Sequence, residues 1–391
     1  ALLFLVFLVY TNTGGGNVEN LKKTPLYQEH VAAGGKVVDF GGWALPVQYS
    51  GILEEVDAVR KRAGLFDVSH MGECMISGEE AASYLDYLCT NTIGDMQVGQ
   101  CRYTMMCYPN GTVVDDLLIY RRTEISFLVV MNASNTEKDL AWIMHDNPKA
   151  DSCPPVIDLS ASTVQLALQG PLSVQILSTL VSDCDQIKSF TFRSQCEIGE
   201  VMTLISRTGY TGEDGFELYC ASDDGPLLWN TLLEAGKTFG LIPCGLGSRD
   251  TLRMEAKLPL YGHEISDTIT PLEANLGVFV KLDEKDFCGK EALLFQQQNG
   301  IPRTLRGIEM LDKAVPRSGY PVYLGEKQIG FVTSGNKSPS LGIFCAYVLI
   351  ERDSALKFGD VLEVEVHGQR KRAKLVRTPF YKRGMPIKEG Q

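Results

Sequence analysis

Apolar positions recur along this chain with two periods, and the period changes define its elements. Gln100–Cys107 and Val113–Ile119 are rich in strand formers and flank an Asn110-Gly111 turn, so they predict a hairpin. That hairpin brings Tyr103 near Asp116. Phe127–Asn132, Cys74 with Ile76, Val164–Leu168 and Phe216–Leu218 predict further strands. Helical spacing appears at Leu53, Val56 and Val59 within Gly51–Arg62, and at Ala82, Leu85 and Leu88 within Glu79–Cys89. Helices are also expected over Thr136–His145, after Gly170-Pro171, and after Thr24-Pro25 with Thr24 as N-cap. Phe40–Tyr49 sets aromatic residues around a glycine pair and a proline and reads as a loop that plugs a core or lines a cavity. From about Thr304 onward short alternating strands succeed one another, the pattern of a small β-barrel or jelly roll. The basic run Arg370–Lys374 falls in its last hairpin, either as a solvated face or as a dock for an acidic partner.

Composition narrows the function. With 391 residues, 44% of them apolar and 22% charged, the chain is long enough for two or three globular domains. A formal net charge of −11 argues against a nucleic-acid binder, because neutralising phosphates requires clustered Lys and Arg. Eleven scattered cysteines without a C-x-x-C pair suit reduced thiols in a reducing compartment. Five histidines far apart predict no structural metal. The apolar run 1–10, succeeded by Thr11–Gly16, is too short for a membrane span and differs in character from the rest of the chain, so residues 1–16 are expected to be an extension outside the fold.

Candidate chemistry concentrates in three stretches. Asp115 and Asp116 interrupt an apolar strand and must point to opposite faces; a carboxylate inside is costly unless paired or used. They are proton-handling groups, or they brace the turn. Asn132 at a strand end is a site residue or a turn former. Ser206–Leu218 packs three glycines, two threonines and Tyr210 into a tight loop that leads into a strand carrying Glu217. Such an acid needs a partner, and the paired hydrogen bonds of an amidine-like heterocycle edge would serve; a salt bridge is the alternative. Arg249 lies near the start of a helix, where a cation opposes the macrodipole, so it is either bridged to an acid or held for an anionic or carbonyl-bearing ligand, with Arg253 on the same face. Asp67, Ser69 and His70 are close together, but no G-x-S-x-G elbow supports a hydrolase triad.

Taken together, Thr24-Pro-Leu, Phe40-Gly-Gly-Trp, Phe66-Asp-Val-Ser-His-Met-Gly-Glu73, Val114-Asp-Asp-Leu117, Ser206–Glu217, Gly245-Leu-Gly-Ser-Arg-Asp250, Thr333-Ser-Gly and Thr378-Pro-Phe-Tyr381 resemble the aminomethyltransferase (T protein) family of the glycine cleavage system, over about Leu21–Arg383. The resemblance implies an α+β, multi-domain folate-binding fold with antiparallel sheets. Its expected parts are a catalytic region over 17–285, built of two intertwined α+β domains, and a C-terminal β-barrel domain over 286–391. It implies tetrahydrofolate as co-substrate, a lipoyl carrier protein as partner, no metal, no nucleic acid and no membrane. By the resemblance Asp116 is the catalytic carboxylate, Glu217 reads the pterin edge, Arg249 binds folate or orders the site, and Tyr103, Asn132 and Tyr210 line the pocket. The expected location is bacterial cytoplasm, or the mitochondrial matrix in a eukaryote. A folate-dependent demethylase and a non-enzymatic iron–sulfur assembly factor share the fold and are the alternatives.

Overall fold

The computed structural model describes residues 20–352 and 355–387. The extension expected at 1–16 lies outside them. The chain forms two compact units that are interleaved in sequence. One holds the described residues up to Gly72 together with Leu159–Leu252; the other holds Glu73–Asp158 and the described residues from Arg253 onward.

The first unit is built on a six-stranded sheet in the order Phe192–Ile198, Val201–Ser206, Gly215–Ala221, Thr163–Gln169, Gly64–Asp67, Ile242–Pro243. Neighbours run antiparallel except the last pair, which is parallel. Because side chains alternate along a strand, Leu166 and Leu168 enter one core with Phe216, Leu218, Leu65 and the helix residues Ile176, Trp229 and Leu232. Ala167 and Phe66 enter the opposite core with Val56, Val59, Cys244 and Leu252. Gln165 and Glu217 share that second face.

Several local structures differ from the expectation. Phe40–Tyr49 is largely a two-stranded hairpin, Val37–Phe40 with Trp43–Pro46, rather than a loop. Gly41 and Gly42 both hold positive φ, 58° and 89°, which a tight turn between right-twisted strands needs. Thr24 does not cap the helix Tyr27–Ala32. Its hydroxyl is drawn instead to Asp67 Oδ2 at 2.7 Å. On the helix Ile52–Lys61, Val56 and Val59 are buried, but Leu53 is exposed.

Asp67 is the hub of a buried network. It accepts from Thr24, from the Ser69 backbone and hydroxyl, and pairs with His30 Nε2 at 2.8 Å, while His30 Nδ1 meets the Tyr49 hydroxyl at 2.9 Å. The Asp67–Ser69 contact is therefore structural, and no triad forms with His70. Although burial alone would raise it, these partners, His30 foremost, hold the Asp67 carboxyl below its ordinary range. Its stabilisation is therefore present above the unfolded carboxyl value, near 4, and is lost as pH falls through the lower folded value. Asp67→Asn is expected to remove about 2 kcal/mol at neutral pH and to flatten the acid side of the stability profile. Thermal unfolding followed across pH measures both; an unchanged acid side would dismiss this role.

The second unit contains a five-stranded sheet in the order Cys101–Cys107, Val113–Thr123, Ser126–Met131, Gly72–Ser77, Val156–Asp158. The helix Ala81–Leu88 covers it with Tyr84, Leu85 and Leu88, which pack among Ile76, Ile119, Phe127 and Val129. The same unit contains a closed six-stranded barrel, Arg303–Met310, Ile343–Glu351, Lys327–Ser338, Pro321–Leu324, Val361–Val366 and Gln369–Val376 in that order. Its interior holds Ile308, Val322, Val348, Val364 and Leu375. Closure leaves no free strand edge. The basic run in the last hairpin is met by the barrel's own acids: Arg372 with Asp312 and Lys374 with Glu309, both at 3.0 Å, and Arg370 with Glu365 at 3.7 Å. Most of that charge is thus balanced in place.

The eleven cysteines are free thiols, and all but Cys153 are buried. Burial pushes the Cys74 and Cys89 thiols up to about 12, so they are poor nucleophiles. No helix among the described residues is long and apolar enough to cross a membrane.

Candidate active site

The site residues fall into two arrays, one in each unit. In the second unit, Met105 stands opposite Asp116 in the hairpin register, so Tyr103, two residues away on the same face, is a diagonal neighbour. Its hydroxyl donates to Asp116 Oδ2 at 3.0 Å, and its ring meets Phe279 edge-on, 4.8 Å between centroids. Continuing the Leu118–Val130 pairing two residues along both strands brings Asn132 opposite Asp116. The Asn132 amide Nδ2 donates to Asp116 Oδ1 at 2.7 Å and to Asp115 Oδ1 at 2.9 Å, bridging the two carboxyls. Asp115 also accepts from the Asn132 backbone at 3.0 Å and from Asn135 Nδ2 at 2.7 Å. Asp115 is fully buried, whereas Asp116 keeps partial access to solvent.

Burial and the Asp115 charge push the Asp116 carboxyl up to about 7, against the opposing hydrogen bonds of Tyr103 and Asn132. A carboxylate at that position is a usable proton acceptor at neutral pH, because its basicity matches the medium. The turn-bracing alternative for the aspartate pair is thus replaced by a network reaching from the strand to the segment after it.

In the first unit, Glu217 accepts from the Thr208 hydroxyl at 2.5 Å and from Gln165 Nε2 at 3.2 Å. It has no salt bridge at contact distance among the described residues. Burial raises its carboxyl, while Thr208, the nearby Arg249 and Gln165 oppose that rise. Arg249 lies over the Tyr210 ring, 4.5 Å from its centroid. Buried polar atoms of the first unit without a hydrogen-bond partner among the described residues include Arg249 Nη1, Gln165 Oε1 and His70 Nδ1. Burial, with the Arg249 charge adding to it, pushes His70 down to about 4 against the pull of Asp67, so its ring is neutral. Unsatisfied buried donors and acceptors are costly.

The loop that delivers Thr208 and Tyr210 is held tightly. Gln169 donates to the Thr208 and Phe216 carbonyls and accepts from Thr211, and a Cβ on Gly209 would lie 2.0 Å from its amide oxygen. Arg60 reaches the Thr211 carbonyl at 2.8 Å and Glu213 at 2.9 Å, and Arg207 forks onto Asp214. Arg253 is committed elsewhere, to Glu264 at 2.8 Å and Ser334 at 2.9 Å.

Sequence reasoning missed Asn135, Asp139, Gln165 and Thr208. Asn132 lies in extended backbone and Asn135 in the turn that opens the helix Thr136–Ala141, so their common approach to Asp115 was not readable from spacing. Gln165 was readable as the polar member of a buried strand. Thr208 carried no signal beyond its place in the loop. No group of three or more His, Cys, Asp and Glu side chains among the described residues is placed to hold a metal ion.

Antiparallel sheets and a C-terminal barrel are the fold that the sequence resemblance implies, and comparison with known proteins makes the assignment specific. Family models described as "GCVT N-terminal domain" and "Glycine cleavage T-protein C-terminal barrel domain" match residues 26–284 and 303–382. The aminomethyltransferase of Halalkalibacterium halodurans is 52% identical over 365 residues, covering 93% of this chain and 99% of that relative. That of Bacillus subtilis is 49% identical, covering 93% and 100%. The crystal structure of glycine cleavage system aminomethyltransferase T from Bartonella henselae superposes with a TM-score of 0.84 at 31% identity, covering 94% of this chain and 100% of that one. The chain belongs to the aminomethyltransferase family, the T proteins of glycine cleavage.

Proposed function

We propose that this aminomethyltransferase takes an aminomethyl group from the dihydrolipoyl arm of a carrier protein and passes its carbon to tetrahydrofolate. The carbon–sulfur and carbon–nitrogen bonds of the aminomethylated arm break, and two bonds from the carbon to folate nitrogens form. The two protons leaving those nitrogens end on the arm's sulfur and on the departing ammonia, so the products are methylenetetrahydrofolate, ammonia and the reduced arm. No net oxidation occurs. Asp116 accepts the first proton and stabilises the cationic carbon between the two bond-breaking steps. Glu217 and Arg249 hold the pterin edge and a carbonyl or carboxylate of the folate, Tyr210 stacks beneath Arg249, and Tyr103 and Asn132 fix the Asp116 carboxyl.

The observation that carries this reading is the Asp116 carboxyl itself, bridged by Asn132 and Tyr103 and raised to about 7. The bacterial relatives support a bacterial cytoplasm as the place where it acts. The test is ammonia release from an aminomethylated lipoyl carrier protein with and without tetrahydrofolate. Fast release that depends on folate is expected. A chain that binds folate but releases no ammonia would redirect the assignment to a demethylase substrate.

A further inference from the structure

Asn132 and Asn135 each stand at the N-cap of a helical segment. Asn132 precedes the helical turn Ala133–Asn135, and Asn135 precedes the helix Thr136–Ala141. At such a position the side-chain oxygen ordinarily accepts from a backbone N–H of the first turn, which is why asparagine is favoured there. Neither residue makes that bond. Both turn their amides across to the neighbouring strand instead. Asn135 Nδ2 donates to Asp115 Oδ1 at 2.7 Å, and Asn132 Nδ2 donates to Asp115 Oδ1 at 2.9 Å and to Asp116 Oδ1 at 2.7 Å. Two caps given up for one pair of carboxyls break a local rule, and breaks of this kind concentrate at functional positions.

The two carboxyls are not equivalent. Asp115 is fully buried, and donors reach both of its oxygens, since Oδ2 accepts from the Asn132 backbone at 3.0 Å. The neighbouring cation, Lys138, is committed elsewhere, to the Val114 carbonyl and to Asp139 Oδ1 at 3.0 Å. Asp115 therefore presents nothing to an incoming amine. Asp116 keeps partial access to solvent, with Oδ1 held by Asn132 and Oδ2 met by the Tyr103 hydroxyl at 3.0 Å.

We propose that Asn135 is a positioning residue and Asp115 its anchor, not a second proton acceptor: Asn135 and the Asn132 backbone clamp the Asp115 carboxyl, and the clamped carboxyl holds the Asn132 amide against Asp116. The inference rests on the reading of Asp116 as the proton acceptor of the transfer. The line of hydrogen bonds from Asn135 through Asp115 and Asn132 fixes how the Asp116 carboxyl is turned toward the substrate. Because the Asn132 hydrogen bond opposes the rise of the Asp116 carboxyl, slackening the clamp also makes Asp116 more basic.

The experiment compares Asn135→Ser, Asn135→Ala and Asp115→Asn with the native full-length chain. Serine is a good N-cap but too short to reach Asp115, so Asn135→Ser should melt at or above the native temperature. It should nevertheless turn over about tenfold more slowly at neutral pH, with the KM for tetrahydrofolate within about twofold of native. Its acid limb should lie about half a pH unit above the native one, because Asp116 has lost part of the Asn132 hydrogen bond. Asn135→Ala should show the same loss and the same displacement without the gain in stability. Asp115→Asn should also be slow but keep an acid limb, since Asp116 remains. Side-chain amide NMR spectra of selectively labelled asparagine give a readout that needs no turnover: the Asn132 amide resonances should be displaced in Asn135→Ser. Native turnover with a native limb in both Asn135 variants, an acid limb abolished in Asp115→Asn, or Asn132 resonances that stay in place overturns the proposal. If the native chain transfers nothing, the functional reading fails separately, and the Asn132 resonances still decide whether the clamp exists.

Discussion

Replacing Asp116 by Asn is expected to lower the proposed folate-dependent ammonia release about 100- to 10,000-fold while leaving tetrahydrofolate binding in place. The asparagine retains the shape of the side chain and can still meet Tyr103 or Asn132, so the network survives. What disappears is the lone pair of basic character on Oδ2. In the native chain the activity should rise with pH as Asp116 ionises, with a midpoint near the raised value of about 7. The sign comes from the proposed role: with the ionised form as acceptor, activity should be lost as pH falls through that value, and Asn at this position should abolish the limb together with the rate. Residual turnover within tenfold of native would show that another group takes the proton. A binding measurement in parallel separates loss of chemistry from loss of folate.

Arg60→Met should destabilise the first unit by about 3–5 kcal/mol, since it leaves the Glu213 carboxylate buried without its partner. Arg60 and Glu213 are 2.9 Å apart, with both side chains almost wholly inaccessible. The same guanidinium holds the Thr211 carbonyl, so the loop that brings Thr208 to Glu217 loosens as well. The expected result is a lower melting temperature together with weaker folate binding. Arg60→Met combined with Glu213→Leu should recover much of the stability, because an apolar pair of similar volume removes the buried charge altogether. A double variant as unstable as the single one would mean that the carbonyl contacts of Arg60, and not the ion pair, dominate.

The parts of the site visible in the sequence are those fixed by local rules. The Asn110-Gly111 turn and the alternation around it place Tyr103 beside Asp116 by counting along two strands. Glu217 stands out because an acid in an apolar strand needs a reason. Contacts across long loops were not legible: nothing near His30 announces that it pairs with Asp67, or that Thr24 gives up a capping role to reach the same carboxylate. Asp139 was hidden for a different reason. An acid in the first turn of a helix is the ordinary complement to the macrodipole and reads as surface, and only the strand packed against it shows that the position is buried. Leu53 errs in the opposite direction, matching the helical period yet facing solvent. The hairpin at Gly41-Gly42 was legible from its turn chemistry, but the aromatic residues around it outweighed that signal.

The interleaving of the two units also governs how the chain can be made. The strand Gly64–Asp67 pairs with Thr163–Gln169, about one hundred residues further on, and then with Ile242–Pro243. At a synthesis rate of about 5–20 residues per second, Leu65 and Phe66 leave the ribosome many seconds before the strand that shelters them exists. Meanwhile the sheet of the second unit emerges in one continuous stretch, from Gly72 to Asp158. The newborn chain therefore carries an unprotected apolar strand while about one hundred further residues are added, a demand on chaperones that a gene with the same two units in tandem would not make.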